Sequence, residues 1–362
     1  MTICTRCIMT DKGDPTITFD GQGRCNYCTD ALQKINTTAY FPNEEGARRL
    51  EAMLTKIKKD GEGKPYDCIM GISGGLDSAY LAYLGYTWGL RILAVHVDDG
   101  YDTDISKENI RKLVEAAHIE MITIRPDAEQ YNDLLLAYMR AGVPNLAVPQ
   151  DNILLKCLYD TVRKYKISYF LSGDNFALEC ILQRGNTYKA LDAVNIRDIH
   201  KRFGTMPMDK LKLISTYEKY FSTRVAGLHQ ETPLNYIDYN RERAFRELRE
   251  FCGFAYYGRK HLENKFTAFL QLYWLPRKFG VDKRSSHLSS MIVSGQMTRE
   301  EALAEIAQPI CDEAVMAEYI TEIKQNMHLS DAEFEEIMAA PVHQHTDYKI
   351  DKLDPILRSV LH

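Results

Sequence analysis

Ser73-Gly74-Gly75-Leu76-Asp77-Ser78 sets two glycines and two hydroxyls between a short apolar run, Tyr66 to Ile72, and a stretch of helical spacing, Ser78 to Tyr86. A strand-to-helix turn of this kind aims free backbone N–H groups outward. With the helix dipole and a concave nest of amides behind them, they bind anions without a cationic side chain. Gly74 and Gly75 let a phosphate approach the main chain. A bare Gly-Gly pair reads as an ordinary capped turn, whereas the full run reads as a pyrophosphate grip. It has neither the Gly-x-x-x-x-Gly-Lys-Ser/Thr spacing of a nucleoside triphosphatase loop nor the Gly-x-Gly-x-x-Gly of a dinucleotide fold. A second constellation lies at the amino terminus, where Cys4-x-x-Cys7 and Cys25-x-x-Cys28 flank a hairpin rich in Gly, Asp and Pro. Each knuckle supplies two thiolates from one tight turn, which suits a closed, structural, tetrahedral zinc; an iron–sulfur cluster or redox thiols are the alternatives. The other cysteines, Cys68, Cys157, Cys180, Cys252 and Cys311, stand singly among apolar neighbours, as reduced thiols do.

The elements that must position these residues follow from periodicity. After the first strand and helix, Arg91 to Val97, Met121 to Ile124 and Ser168 to Leu171 read as strands, and Ile105 to Ala117, Glu129 to Arg140 and Gln150 to Tyr165 as helices. This alternation predicts an α/β fold, a doubly wound parallel sheet with helices on both faces. Ligands of such sheets bind at the carboxyl ends of the strands. Asp98-Asp99-Gly100 and Ser172-Gly173-Asp174-Asn175, followed by Glu179, fall at those ends beside the glycine loop, although each alone reads as a plain turn. Asp77, Asp98, Asp174 and Glu179 are candidate ligands for a Mg²⁺ that would accompany bound phosphates, because that ion prefers oxygen donors and phosphates.

The division expected is a zinc knuckle over residues 1–32, a main domain over 33–203 with a linker helix capped by Asn43, and a helical domain over 204–362 without further strands. In that last part Phe266, Phe269, Leu270, Tyr273 and Trp274 sit at helical spacing and read as core. Lys260, Lys283 and Arg284 could stabilise negative charge on a leaving pyrophosphate, with a solvated basic face as the plain alternative. The chain of 362 residues carries a net charge of −5, which gives no general basic footprint for nucleic acid. It shows no charged-then-apolar leader and no apolar run of about eighteen residues, so a cytoplasmic protein without a membrane span is expected.

The Ser-Gly-Gly-Leu-Asp-Ser run resembles the PP-loop of the N-type ATP pyrophosphatases, which adenylate an oxygen, release pyrophosphate and let a nucleophile displace AMP. The cysteine pairs with Ile17-Thr18-Phe19-Asp20, the PP-loop, Ser172 to Asn175 with Glu179, and Tyr257-Gly258-Arg259-Lys260-His261 leading into Lys278 to Arg284 together resemble the N-acetyl sugar amidotransferases. These are bacterial enzymes of lipopolysaccharide and flagellin-glycan biosynthesis, the group that includes WbpG and PseA. The resemblance runs from about Ile3 to Pro309.

It implies a fold of the PP-loop ATP pyrophosphatase type with an amino-terminal zinc ribbon and a carboxyl-terminal helical domain. It also implies that ATP adenylates the carbonyl oxygen of a sugar N-acetyl group and that ammonia displaces AMP to leave an acetamidino group. No glutaminase nucleophile is visible, since the first cysteine is Cys4 and no Gly-x-Cys-x-Gly elbow occurs. Ammonia is therefore expected from a separate glutaminase subunit with a channelling cyclase-like subunit, resembling the two subunits of imidazole glycerol phosphate synthase. In this reading Ser73, Gly74, Gly75 and Ser78 bind pyrophosphate, Asp77 caps the helix or meets Mg²⁺, and Asp98 and Gly173 line the nucleotide site. Glu179, Lys260, Lys283 and Arg284 act on metal, substrate or leaving group. A tRNA thiolase is the nearest rival; it would need reactive cysteines, for which Cys157 and Cys180 are the isolated candidates. A zinc-ribbon scaffold that merely binds nucleotide is the rival outside enzymes.

Overall fold

The computed structural model describes residues 1–258 and 262–353. Five strands, β1 (Cys68–Gly71), β2 (Ile92–Val97), β3 (Glu120–Ile124), β4 (Tyr169–Leu171) and β5 (His229–Glu231), form one sheet in the order β3-β2-β1-β4-β5. Every neighbouring pair is parallel. The two knuckles open the chain and lead into α1 (Asn26–Lys34) and α2 (Glu44–Asp60), the latter capped by Asn43 Oδ1 accepting from the Gly46 N–H at 3.1 Å. The sheet is wound with α3 (Leu76–Thr87), α4 (Asp104–Ala116), α5 (Ala128–Arg140) and α6 (Val148–Tyr165). Short α7 (Phe176–Glu179), then α8 (Ala193–Phe203) and α9 (Thr216–Arg224), precede β5 and α10 (Arg241–Cys252). The remainder is helical: α11 (Lys265–Phe269), which runs on into a π-helix over Leu270–Phe279, then α12 (Arg284–Val293), α13 (Arg299–Ile306), α14 (Glu313–Asn326) and α15 (Asp331–Ala339).

Alternation along the strands produces the two faces. Cys68, Met70 and Ala94 point to the side covered by α3 and α4, while Ile69, Leu93 and Val95 point to the side covered by α6. Both sides are dry, which is why these strands read as continuous apolar runs. The doubly wound parallel sheet expected from the sequence is thus present, with boundaries that shift by a residue or two.

The expectation that only helices follow residue 203 is corrected by β5. His229-Gln230-Glu231 has no apolar periodicity, and it is a strand because β4 offers an open edge. The His229 N–H donates to Ser168 O at 2.8 Å and the Ser172 N–H to Glu231 O at 2.8 Å. The sheet therefore continues across the boundary drawn at 203–204. Beyond it, Phe266, Phe269, Trp274, Ile320 and Phe334 share one buried cluster with Tyr131, Leu134 and Tyr138 of α5, so the aromatic stripe is core, as its spacing predicts.

Candidate active site

The phosphate loop continues β1, since the Ile72 N–H still bonds Val95 O at 3.0 Å, and then wraps around two hydroxyls. Ser78 Oγ accepts from the Ser73 N–H at 3.3 Å, Ser73 Oγ accepts from the Gly75 N–H at 3.2 Å, and the two oxygens lie 3.3 Å apart. Gly74 has φ +78°, and a Cβ there would come within 2.6 Å of Ser106 O, so both conformation and space require glycine. Gly173, at the end of β4, is packed against the start of α3; a Cβ on it would lie 3.2 Å from the Ser78 nitrogen. Ser73, Gly75, Asp77, Ser78 and Gly173 accordingly meet on one cavity of about 630 Å³, within the range of small-molecule sites.

Three of the four acidic candidates, Asp77, Asp174 and Glu179, line that cavity. Asp77 accepts a short hydrogen bond from the buried Tyr239 hydroxyl, whose pKa is driven well above that of an ordinary phenol by burial and by the Asp77 charge. Asp98 is corrected by the structure. Its carboxylate is turned to Arg125 Nε at 2.9 Å, and it is held below the usual range by that partner despite the opposing effect of burial. The next residue, Asp99, lines the cavity instead. It accepts from Gln150 Nε2 at 2.7 Å, the Tyr131 hydroxyl at 3.1 Å and Asn264 Nδ2 at 3.1 Å, and burial raises it to about 6. In a strand end that reads Asp-Asp-Gly, the sequence does not say which carboxylate turns inward.

The basic candidates separate. Lys260 lies outside the described residues. Lys283 sits 3.5 Å from Asn186 Oδ1, where burial lowers it to about 8 against the pull of Glu179 and Asp14. Arg284 is buried and lines the cavity, with its guanidinium engaged by the protein. It donates to Asp282 at 2.7 Å and to the carbonyls of Ile306, Gln308 and Pro309 at 3.2, 3.0 and 3.3 Å, closing the end of α13. A guanidinium so engaged holds two helices together while it forms part of the cavity wall.

Tyr257, which opens one of the quoted motifs, and Glu263, which none of them contains, complete the wall. The Leu76 N–H donates to the Tyr257 hydroxyl at 2.7 Å, and Ser73 Oγ donates to Glu263 Oε1 at 3.3 Å, so these two residues lie directly over the loop. Both residues fall in a stretch whose cations drew attention in the sequence while its acid did not.

At the amino terminus the four cysteines are buried, and their sulfurs lie within 4.8 Å of one another. Cys4 and Cys28 Sγ are 3.8 Å apart and Cys7 and Cys25 Sγ 3.5 Å. Thiolates at about 2.3 Å from a central zinc would be separated by about 3.8 Å, so the donor set fits a tetrahedral ion. The N–H groups of Arg6, Cys7 and Cys25 point at Cys4 Sγ at 3.4, 3.4 and 3.2 Å, which favours the thiolate form. Arg299 of α13 holds the knuckle by its carbonyls, donating to Cys7 O and Cys4 O at 3.1 Å each.

Residues 263–360 match the family model described as LPS biosynthesis protein WbpG-like, C-terminal domain. The carboxyl-terminal part is WbpG-like. This WbpG-like part contributes Asn264, Thr267, Gln271, His287 and Leu288 to the cavity wall. No curated protein matches the chain. Among solved structures, the NMN synthetase from Francisella tularensis is 13% identical over 79% of this chain and 96% of its own, with a TM-score of 0.37. The NH3-dependent NAD synthetase from Campylobacter jejuni subsp. jejuni NCTC 11168 is 18% identical over 49% of this chain and 78% of its own, at 0.31. The U34-tRNA thiolase NcsA from Methanococcus maripaludis, solved with its 4Fe-4S cluster, is 14% identical over 85% and 90%, at 0.34. Likeness of that degree is too slight to carry an argument, and the fold stands on its own sheet order.

Proposed function

We propose that the protein is an ATP-using PP-loop enzyme of the ligase kind. It adenylates the N-acetyl carbonyl oxygen of a bacterial sugar and exchanges that oxygen for ammonia-derived nitrogen, releasing AMP and pyrophosphate. The carrying observation is that a Ser-Gly-Gly-Leu-Asp-Ser loop at the carboxyl end of a parallel sheet and a WbpG-like segment wall the same cavity. An amide oxygen is a poor leaving group until it is adenylated, so activation by ATP precedes attack by nitrogen. Ser73, Gly74, Gly75 and Ser78 would seat the pyrophosphate, and the N-terminal end of α3 favours its charge. Asp77, Asp174 and Glu179 would hold Mg²⁺, which supplies charge neutralisation on the phosphates. Lys283, which does not itself line the cavity, is lowered to about 8 by burial and would act there only through its neighbour Glu179. The cysteine cluster would hold structural zinc. The sugar, its place in lipopolysaccharide or O-antigen assembly, a separate glutaminase with a channelling subunit, and a cytoplasmic site of action belong to the same reading. Among the described residues no helix is long and apolar enough to cross a membrane.

The thiolase alternative is disfavoured by the thiols. Cys157 and Cys180 do not line the cavity, and burial raises both to about 11, away from thiolate reactivity. The deciding experiment incubates the purified chain with Mg-ATP, an ammonium salt and a panel of di-N-acetylated nucleotide sugars, followed by mass spectrometry. A product in which one O is replaced by NH, formed together with AMP, is the expected result. AMP release that depends on added tRNA, with every sugar unchanged, would overturn the proposal.

A further inference from the structure

His96 lies near the carboxyl end of β2, buried, on the wall of the cavity, and none of the motifs uses it. Its Nδ1 is 2.9 Å from the carbonyl oxygen of Ile72, the residue that leads β1 into the phosphate loop. Its Nε2 is 3.0 Å from Oδ2 of Asp102, a buried carboxylate in the connection between β2 and α4. A carbonyl oxygen can only accept, so Nδ1 carries a proton. The Asp102 oxygen lies at ion-pair distance from Nε2, so a ring that serves both neighbours is doubly protonated and charged.

The connection that holds Asp102 reaches the segment over the loop. Asp102 forms an isolated antiparallel bridge with Asn264, the Thr103 N–H donates to Glu263 O at 3.0 Å, and the Lys265 N–H to Tyr101 O at 2.7 Å. Glu263 in turn rests on the loop, where a Cβ added to Gly75 would lie 2.5 Å from Oε1. One imidazole therefore ties the start of the phosphate loop to the chain that covers it.

We infer that His96 is a positioning residue for the phosphate loop, an imidazolium clamped between the Ile72 carbonyl and Asp102 that fixes the loop against residues 262–265. The charged groups around it are Asp102, Asp98 at the end of its own strand, Asp77 of α3 across the cavity, Glu263 over the loop, and Arg125 beyond β3, which is engaged by Asp98. Burial alone would lower the ring's pKa, and the Asp102 carboxylate more than offsets this, leaving it above the ordinary imidazole value. The charge is therefore lost only as the pH rises through a value above that of an ordinary imidazole.

The test compares the full chain with Asp102→Asn, which keeps the shape and removes the partner's charge, and with His96→Gln. Nitrogen NMR of the ring at neutral pH should show both nitrogens protonated in the unmodified chain and a neutral ring in Asp102→Asn. Hydrogen exchange at the Ser73, Gly75 and Leu76 amides should accelerate about tenfold in both variants, the worth of one hydrogen bond to a charged group, with exchange in the cysteine knuckle unchanged. A neutral ring in the unmodified chain, or loop exchange that does not move, overturns the inference. The dissociation constant for Mg-ATP should rise by a similar factor, and this arm rests on the proposed function. If the unmodified chain bound no ATP, that reading would fail, while ring protonation and loop exchange would still decide the role of His96.

Discussion

The cysteine knuckle and the Ser73–Ser78 loop are both short turns whose donor groups converge, yet they are held in opposite ways. The loop is an extension of β1, braced by Val95, by its own serines and by α3, so its shape is inherited from the sheet. The knuckle presents four buried sulfurs, with isolated two-residue bridges, Ile3 with Thr10 and Phe19 with Cys25, as its own pairing. The loop's shape needs no ligand, whereas the knuckle, although Met9, Ile17 and Tyr27 join the main core, closes four sulfurs on one another and needs a metal to hold them.

The largest effect that would break this comparison is metal removal. Chelation, or Cys25→Ser, should unfold the first thirty or so residues, because structural zinc contributes about 10 kcal/mol or more to such segments. It should also release α13 from the knuckle by freeing Arg299. Amide exchange should show protection lost from the knuckle and α1 while β1, β2 and α3 stay protected; collapse of the sheet would show that the two regions are one folding unit. Ser78→Ala probes the other side. AMP formation should fall by about a hundredfold, the typical cost of one preorganised donor at a charged transition state, with metal content unchanged. Gly74→Ala should act in the same direction and also destabilise, by about 1–3 kcal/mol of backbone strain. AMP formation at the original rate in Ser78→Ala would remove the pyrophosphate role.

A smaller effect sharpens the contrast within the WbpG-like part, where adjacent cations have different fates. Arg284→Met should destabilise by about 3–5 kcal/mol, because it leaves buried carbonyls and Asp282 without their donor. Lys283→Met should instead spare or raise stability and reduce turnover. The sign follows from linkage: a lysine lowered to about 8 when folded binds fewer protons than the unfolded chain between about pH 8 and its ordinary value, so its contribution to stability rises with pH across that window. Thermal melts of the unmodified chain should show that rise, and Lys283→Met should flatten it; equal slopes would place the Lys283 ammonium in solvent.

Much of this was legible before any coordinates. Strand-period and helix-period runs identified β1 to β4 and the helices between them, and the turn chemistry at Ser73 to Ser78 identified the loop. Paired Cys-x-x-Cys spacing pointed to the four cysteines whose sulfurs the fold brings within 4.8 Å of one another. These features are local, set by residues close in sequence whose backbone preferences and apolar faces agree with the fold. Other features were not legible because distant partners decide them. β5 is a strand only because β4 has an open edge, Asp99 faces the cavity because Arg125 claims Asp98, and Arg284 is anchored on the cavity wall because the end of α13 brings it four carbonyls. The charge state of His96 depends on Ile72 and Asp102 arriving on its two sides. Sequence by itself determined which residues could do chemistry and which elements carry them. Tertiary structure decided which of those residues are spent on the fold and which face the cavity, because hydrogen-bond partners and burial are properties of the packed chain and not of the local one.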